Sequence, residues 1–215
     1  MQAVVISDIH IGSRYSRFEC FKRFVDGLPE ETELILNGDV VDKRFRFWRD
    51  REMINFIKDR AKTRRIVWVY GNHDVRVEIE GSDGIVFKPE YALGRKLYIS
   101  HGHKFEKMRL WTKPFAMLFY LWYQVHFLAG GPDVHVAYYA KRYPRLYRVM
   151  TKQVAKQAVC FAKLHGYSAV TCGHTHFAED VTIDGIRYIN TGAWTEQPSF
   201  FLELSLDKLQ LVKVD

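Results

Sequence analysis

The sequence predicts a layered α/β sandwich with two sheets, and three observations carry that expectation. In the first half of the chain, short apolar runs alternate with segments of helical periodicity. After about residue 165 the apolar runs follow one another directly, as consecutive strands do. Five of the runs end in clusters of Asp, His, Asn and Gly, and α/β sheets build sites where loops leave the carboxyl ends of strands. With 215 residues, 47% of them hydrophobic, the chain can bury one large core.

In chain order, residues 2–7 read as a buried strand, and a helix is expected over 17–28. "ELILNGD", 33–39, is a second strand ending in Asn-Gly-Asp, followed by a helix over 50–62. "RIVWVYGNHD", 65–74, is a third strand running into a polar loop. Residues 84–88 and 95–100 are further strands, the latter ending at Ser100-His101-Gly102-His103. An aromatic, basic, mostly helical stretch reaches to about residue 165. "SAVTCGHTH" is another strand, and short strands with an Asp184-Gly185 turn signal fill 178–214. Neither a repeat nor a low-complexity linker interrupts residues 1–215, so one domain is expected.

The charge is unevenly placed. Residues 104–156 carry ten Lys/Arg against two acidic residues, whereas the rest of the chain holds 22 basic and 23 acidic. The whole net charge of +7 therefore traces to one segment, which suits an anionic partner. Cys20, Cys160 and Cys172 are odd in number and lack metal-type spacing, which argues against a disulfide framework and for a reducing compartment. The chain opens directly on a strand-like run, and no secretion signal is expected.

"AVTCGHTHFAED", 169–180, holds two imidazoles two residues apart, which point the same way on extended backbone. Two ligands do not make a metal site. The other clusters are "SDIHIG" with Asp8 and His10, "NGDVVD" with Asp39 and Asp42, "YGNHD" with Asn72, His73 and Asp74, and "SHGHKF" with His101 and His103. Each is weak alone; five in succession, each after a strand, are not readily coincidental. This ordered set resembles the calcineurin-like metallophosphoesterase superfamily, with its DxH, GDxxD, GNHD, His-Gly and GHxH motifs spread over residues 8–176.

The resemblance implies an α/β/β/α sandwich of two mixed sheets flanked by helices. It implies two divalent metal ions, with Asp8, His10, Asp39 and His176 holding one and Asp39, Asn72, His101 and His174 the other. The mixed carboxylate, amide and imidazole donors suit Mn²⁺, with Fe or Zn²⁺ as alternatives. His73 would serve the leaving group and Asp42 would orient its ring. Asp74 is expected to tie down its loop, and His103 to be either a phosphate-facing residue or an ordinary exposed histidine. His126, His135 and His165 lie in helical stretches away from the motifs and are read as structural.

Residues 104–156 are read as a helical cap inserted beside the site. Its apolar aromatic run, ended by Gly130-Gly131, approaches a membrane span in length, but Gln124, His126 and the Lys113-Pro114 entry argue against spanning. Trp111 and Trp122 suit an interface. Pro144 opens a helix on which Arg145, Arg148, Lys152 and Lys156 recur at helical spacing, the first three read as substrate-binding. An apolar groove with a basic rim suits a phosphorylated lipid taken from an anionic membrane surface, and less well a single-stranded nucleic acid. Within the superfamily the chain looks most like the UDP-2,3-diacylglucosamine pyrophosphohydrolase branch of lipid A synthesis. That branch usually has Arg at the position of His73, and HGD where this chain has His101-Gly102-His103. The resemblance implies a cytoplasmic hydrolase, peripheral at the inner face of the membrane.

Overall fold

Alternate residues of the first strand face different layers, as the period of two requires. In β1 (Ala3–Ile6), Val4 and Ile6 pack with the helices, while Ala3 and Val5 enter a core shared with a second sheet. The same division recurs in β3 (Ile66–Val69), where Ile66 and Trp68 face the helices and Val67 and Val69 the other sheet. The computed structural model describes residues 2–42, 50–75, 79–106, 112–131, 133–205 and 208–214.

The first sheet has the order β11-β10-β1-β2-β3-β4, with β2 at Glu33–Asn37, β4 at Ile85–Lys88, β10 at Ser199–Leu204 and β11 at Leu209–Val214. Strands β1 to β4 are parallel, and β10 and β11 add an antiparallel edge. Helices α1 (Phe18–Asp26) and α2 (Arg51–Arg60) cover its outer face through Phe18, Phe21, Val25, Ile54 and Ile57, which recur at helical spacing. The second sheet has the order β5-β6-β7-β9-β8, with β5 at Tyr91–Leu93, β6 at Leu97–Ile99, β7 at Ala169–Cys172, β8 at Glu179–Ile183 and β9 at Ile186–Asn190. Its outer face is covered by Val154, Ala155, Ala158, Val159 and Ala162 of a long helix, packed on Tyr98, Val170, Cys172 and Tyr188. The chain is therefore the expected mixed α/β sandwich of two mixed sheets flanked by helices.

Between β6 and β7 lie a 3₁₀ turn (His103–Phe105) and helices α3 (Thr112–Leu128), α4 (Val136–Ala140) and α5 (Pro144–Leu164). Trp111 falls outside the described residues, as do the side chains of Lys113, Pro114 and Phe115. Helix α5 begins at Pro144, which supplies a preset φ and lacks only an N–H that would have no helical partner. Its second half is the sheet-covering layer just described; α3, α4 and the first turns of α5 are the helices of the segment expected from sequence to form a cap. Phe119 and Tyr123 of α3 meet Tyr139 and Tyr143 in an aromatic seam that His126 joins. His165 caps the far end of α5 by stacking on Phe161, ring centroids 4.0 Å apart. Both histidines make ring contacts with neighbouring aromatic side chains. The short elements β5 and α4 were not anticipated, because three and five residues are too few to show a period. The Asp184-Gly185 turn joins β8 to β9 with φ of 50° and 81°, the left-handed pair that a two-residue hairpin needs.

Candidate metal centre

Strands β1, β2 and β3 of one sheet and β6 and β7 of the other all end at the same side of the sandwich, and the five polar clusters meet there. Asp8, His10, Asp39, His174 and His176 all have left-handed backbones, with φ between 50° and 64°. Such conformations cost side-chain-bearing residues of order 1–3 kcal/mol each and persist where surrounding contacts impose them. Here they are imposed across the sheets. The amide of Asp8 donates to the Gly38 carbonyl at 3.1 Å, that of His10 to the Asp39 carbonyl at 2.9 Å, and that of His174 to Asp8 Oδ2 at 3.0 Å. Gly173 answers why a glycine precedes the two histidines: a Cβ there would collide with the carboxylate of Asp8 and the hydroxyl of Ser7. Its role is close approach; the histidines themselves turn the chain.

Three overlapping groups of ligand atoms result, each spanning no more than 4.8 Å: Asp8, His10 and His176; His10, Asp39 and His73; and Asp39, His101 and His174. His176 Nε2 lies 3.1 Å from Asp8 Oδ1 and 3.3 Å from His10 Nε2. Asp39 Oδ2 stands between the groups, 3.3 Å from His101 Nε2 and 3.9 Å from His10 Nε2. Its other oxygen accepts from the His73 amide at 2.8 Å. Three of these imidazoles are oriented by their second nitrogen. His101 Nδ1 donates to the Asn37 carbonyl at 2.9 Å, and His10 Nδ1 to Asp42 Oδ2 at 3.3 Å. His174 Nε2 donates to Glu106 Oε2 at 2.7 Å, which leaves Nδ1 as its ligand atom.

The residues fit bound cations. Asp8 Oδ1, Asn72 Oδ1 and His101 Nε2 are buried without a hydrogen-bond partner among the described residues, and buried polar atoms are rarely left so. Burial alone would raise the Asp8 carboxyl, yet His176 and His101 beside it hold it well below the usual range. Asp39 is likewise held down against burial by His101. Burial opposes charge on His10, but the Asp42 and Asp8 carboxylates hold it up at about 9; Asp39 and Asp8 hold His101 at about 10. Concentrated negative charge facing imidazole nitrogens is the electrostatics of a cation site.

The remaining predicted residues fall into place unevenly. His73 is part-buried at the edge of the centre, its ring 4.9 Å from that of His10. Asp42 Oδ2 lies 3.5 Å from His73 Nδ1, but its hydrogen bond goes to His10. Asp74 accepts from the amides of Gly71 at 2.5 Å and Val40 at 2.8 Å and from the Trp68 indole at 3.0 Å, fixing the loop that carries Asn72. His103 stands 5.6 Å from the His101 ring, and burial together with His101 and His174 pushes it down to about 4, so it faces the centre neutral. Arg148 packs on Phe177, next to His176. Arg145 and Lys152 are exposed on α5, with Lys152 acting on Glu179 of β8.

Two residues at the centre were not found from sequence. Glu106, at the start of a basic segment, gives no signal beyond its place five residues after His101. His135, read as structural, stacks on His176 at 5.0 Å with rings 12° apart and lies 5.5 Å from the His10 ring. Burial, His176 and His10 push it down to about 3. It lies 30 residues after the end of the 3₁₀ turn and 41 before His176, and the helices between them fold it back. The cap is fastened where it meets the centre: Lys141 donates to the His176 carbonyl and pairs with Glu196, and Tyr147 donates to the Thr175 carbonyl.

Among solved structures the chain is similar over its whole length to an archaeal phosphodiesterase, at 14% identity and a TM-score of 0.53, covering 100% of both chains. It is also similar to vacuolar protein sorting 29 from Cryptosporidium parvum, at 12% identity and a TM-score of 0.52 over 99% of this chain and 96% of the other. A single mutant of Vps29 from Entamoeba histolytica matches at 13% identity and a TM-score of 0.51, covering 100% of both. At these identities the likeness is one of fold. No curated protein matches the chain. The family model for calcineurin-like phosphoesterases matches residues 1–178, which include every residue of these ligand groups; the chain belongs to the calcineurin-like phosphoesterase family.

Proposed function

We propose that the protein is a two-metal hydrolase of a phosphodiester or phosphoanhydride in a lipid-linked substrate, working at an anionic membrane surface. The observation that carries the hydrolase reading is the convergence, at strand ends of both sheets, of buried carboxylate, amide and imidazole atoms without hydrogen-bond partners, several of them on left-handed backbone. Asp8, His10 and His176 would hold one divalent ion and Asn72, His101 and His174 the other, with Asp39 shared. Mn²⁺ suits the donors, as do Fe and Zn²⁺. Bound there, the ions supply Lewis acidity to a phosphoryl oxygen and activate water. His73, carried on the loop fixed by Asp39 and Asp74, gives a proton to the leaving oxygen. Asp42 holds His10 through Nδ1 and adds its negative charge beside His73.

The cap supports the lipid reading, and with it a UDP-diacylglucosamine-like substrate. On α3, Leu118, Leu121, Trp122, Val125 and Leu128 are between 51% and 81% exposed. Leu146 and Val149 of α5 are exposed as well, interleaved with Arg142, Arg145 and Arg148. Apolar side chains edged by guanidinium groups match a bilayer interface carrying anionic headgroups. No helix among the described residues is long and apolar enough to cross a membrane, so contact would be peripheral.

The test is hydrolysis by Mn²⁺-loaded protein of UDP-diacylglucosamine, bis(p-nitrophenyl) phosphate, cyclic nucleotides and single-stranded nucleic acid, with Asp39→Asn as control. Lipid pyrophosphate turnover that Asp39→Asn and metal stripping abolish is expected. Preferred cleavage of nucleotides or nucleic acid would replace the lipid reading with a nucleotide phosphodiesterase. No metal-dependent hydrolysis of any of them would leave a non-catalytic scaffold of the same fold.

A further inference from the structure

The cap delivers to the centre one imidazole that belongs to none of the strand-end clusters. Its position is held from several directions. Asp133 accepts from the Tyr15 hydroxyl at 2.6 Å and pairs with Arg14, both in the loop after β1. The Val134 carbonyl accepts from the Tyr123 hydroxyl of α3 at 2.8 Å. His135 Nδ1 accepts from the Ala137 amide at 3.3 Å, capping α4. Lys141 and Tyr147, one on each side of the α4–α5 junction, bind the carbonyls of His176 and Thr175. The His135 ring is thereby clamped against His176, with Tyr15 edge-on at 5.8 Å.

Helix capping alone does not account for this residue. Ser, Thr, Asp and Asn cap better, and none of them stacks on an imidazole. Because Nδ1 is an acceptor, the proton of the neutral ring is on Nε2. Among the described residues nothing takes that N–H. The ring lies over His10 and His176, whose Nε2 atoms converge at 3.3 Å. A neutral donor at that place attracts an anionic oxygen without repelling a cation.

We propose that His135 is a substrate-contacting residue, its Nε2–H donating to a non-bridging oxygen of the phosphoryl group bound at the centre. The proposal rests on the phosphoester reading of the site. It makes the cap part of the phosphate-binding machinery, so that a phosphate is bound by core and cap together.

The test compares wild type, His135→Phe, which keeps a stacked ring without a donor, and His135→Gln, which keeps a donor. Each is loaded with Mn²⁺ and its metal content measured. Orthophosphate affinity is read by calorimetry, and KM and kcat with bis(p-nitrophenyl) phosphate. His135→Phe should retain its metal and lose about ten- to a hundredfold in phosphate affinity, the scale of a hydrogen bond to a charged group. KM should rise in step, and His135→Gln should recover at least half of the loss on a logarithmic scale. Wild-type phosphate affinity in His135→Phe overturns the proposal, as does a loss of metal that accounts for the weaker binding. If His135→Phe fails to fold, His135→Gln decides: near-wild-type phosphate affinity supports a donor role, and a loss equal to that of His135→Ala overturns it. A wild type that binds orthophosphate but hydrolyses nothing refutes the enzymatic reading while leaving the binding comparison intact; a wild type that binds none refutes the proposal.

Discussion

Asp42 shows how one oxygen can serve two rings. Its Oδ2 is 3.3 Å from His10 Nδ1 and 3.5 Å from His73 Nδ1, and the geometry favours the first. Removing a residue that orients a metal-binding imidazole typically costs 10–100-fold in metal affinity or activity. Asp42→Asn is therefore expected to weaken metal binding by about that factor, measured by competition with a chelating dye. His73→Ala should leave metal content unchanged and slow alkoxide leaving groups more than p-nitrophenolate; equal slowing would assign His73 to phosphate binding or to the fold. The same charges set a pH dependence. His10 and His101 hold protons up to about 9 and 10 in the metal-free protein, so a metal must displace them. A raised folded pKa places the stability these protons confer below the unfolded value of about 6.5, and that stability is lost as pH rises through 9 to 10. Metal affinity has the opposite sign: it should rise with pH, about tenfold per pH unit for each proton displaced. Calorimetry in buffers of different ionisation enthalpy would register the released protons, and a pH-independent affinity would contradict the assignment.

At the scale of elements, the centre depends on how closely two sheet ends approach. Gly173, after β7, abuts Asp8, after β1, and Gly71, after β3, abuts Asp39, after β2. Gly173→Ala must push the Asp8 carboxylate or the β7 loop outward, with a cost in the 1–3 kcal/mol range of overpacked cores. The expected outcome is a lowered denaturation midpoint together with loss of metal, even though no proposed ligand is changed. Retention of full metal content would mean that the loop yields without moving Asp8. Tyr147→Phe tests the fastening of α5 to the same loop. It leaves the buried Thr175 carbonyl without its donor and should cost about 1–3 kcal/mol in urea unfolding.

Over the whole molecule, the basic excess and most of the exposed large apolar side chains lie in the same segment, residues 104–156, while the rest of the chain is almost neutral. Changing Arg145, Arg148 and Lys152 to Glu should weaken sedimentation with anionic liposomes. At about 1 kcal/mol per basic residue near such a surface, the loss is on the order of a hundredfold or more. Added salt should act in the same direction. Arg148 and Lys152 also face Glu179, so part of their charge is answered within the chain. Replacing Leu121 and Val125 by Ser should reduce binding independently of salt. Unchanged liposome binding in both variants would remove the membrane from the proposal.

The two-sheet sandwich and the ligand clusters were legible because strand periodicity and strand-end chemistry are local properties. "SDIHIG", "NGDVVD", "YGNHD", "SHGHKF" and "CGHTH" each read in place, and the fold had only to bring the strand ends together. Element ends were less legible: β2 stops at Asn37, since Gly38 and Asp39 turn left-handed to reach Asp8 and His10, a constraint imposed by a neighbouring strand. Glu106 and His135 were beyond reach for the same reason. Their partners lie 68 and 41 residues away at His174 and His176, and no period or spacing links them. Which ring Asp42 holds, and which nitrogen of His174 faces the centre, are likewise settled by contacts made only when both sheets and the cap are in place.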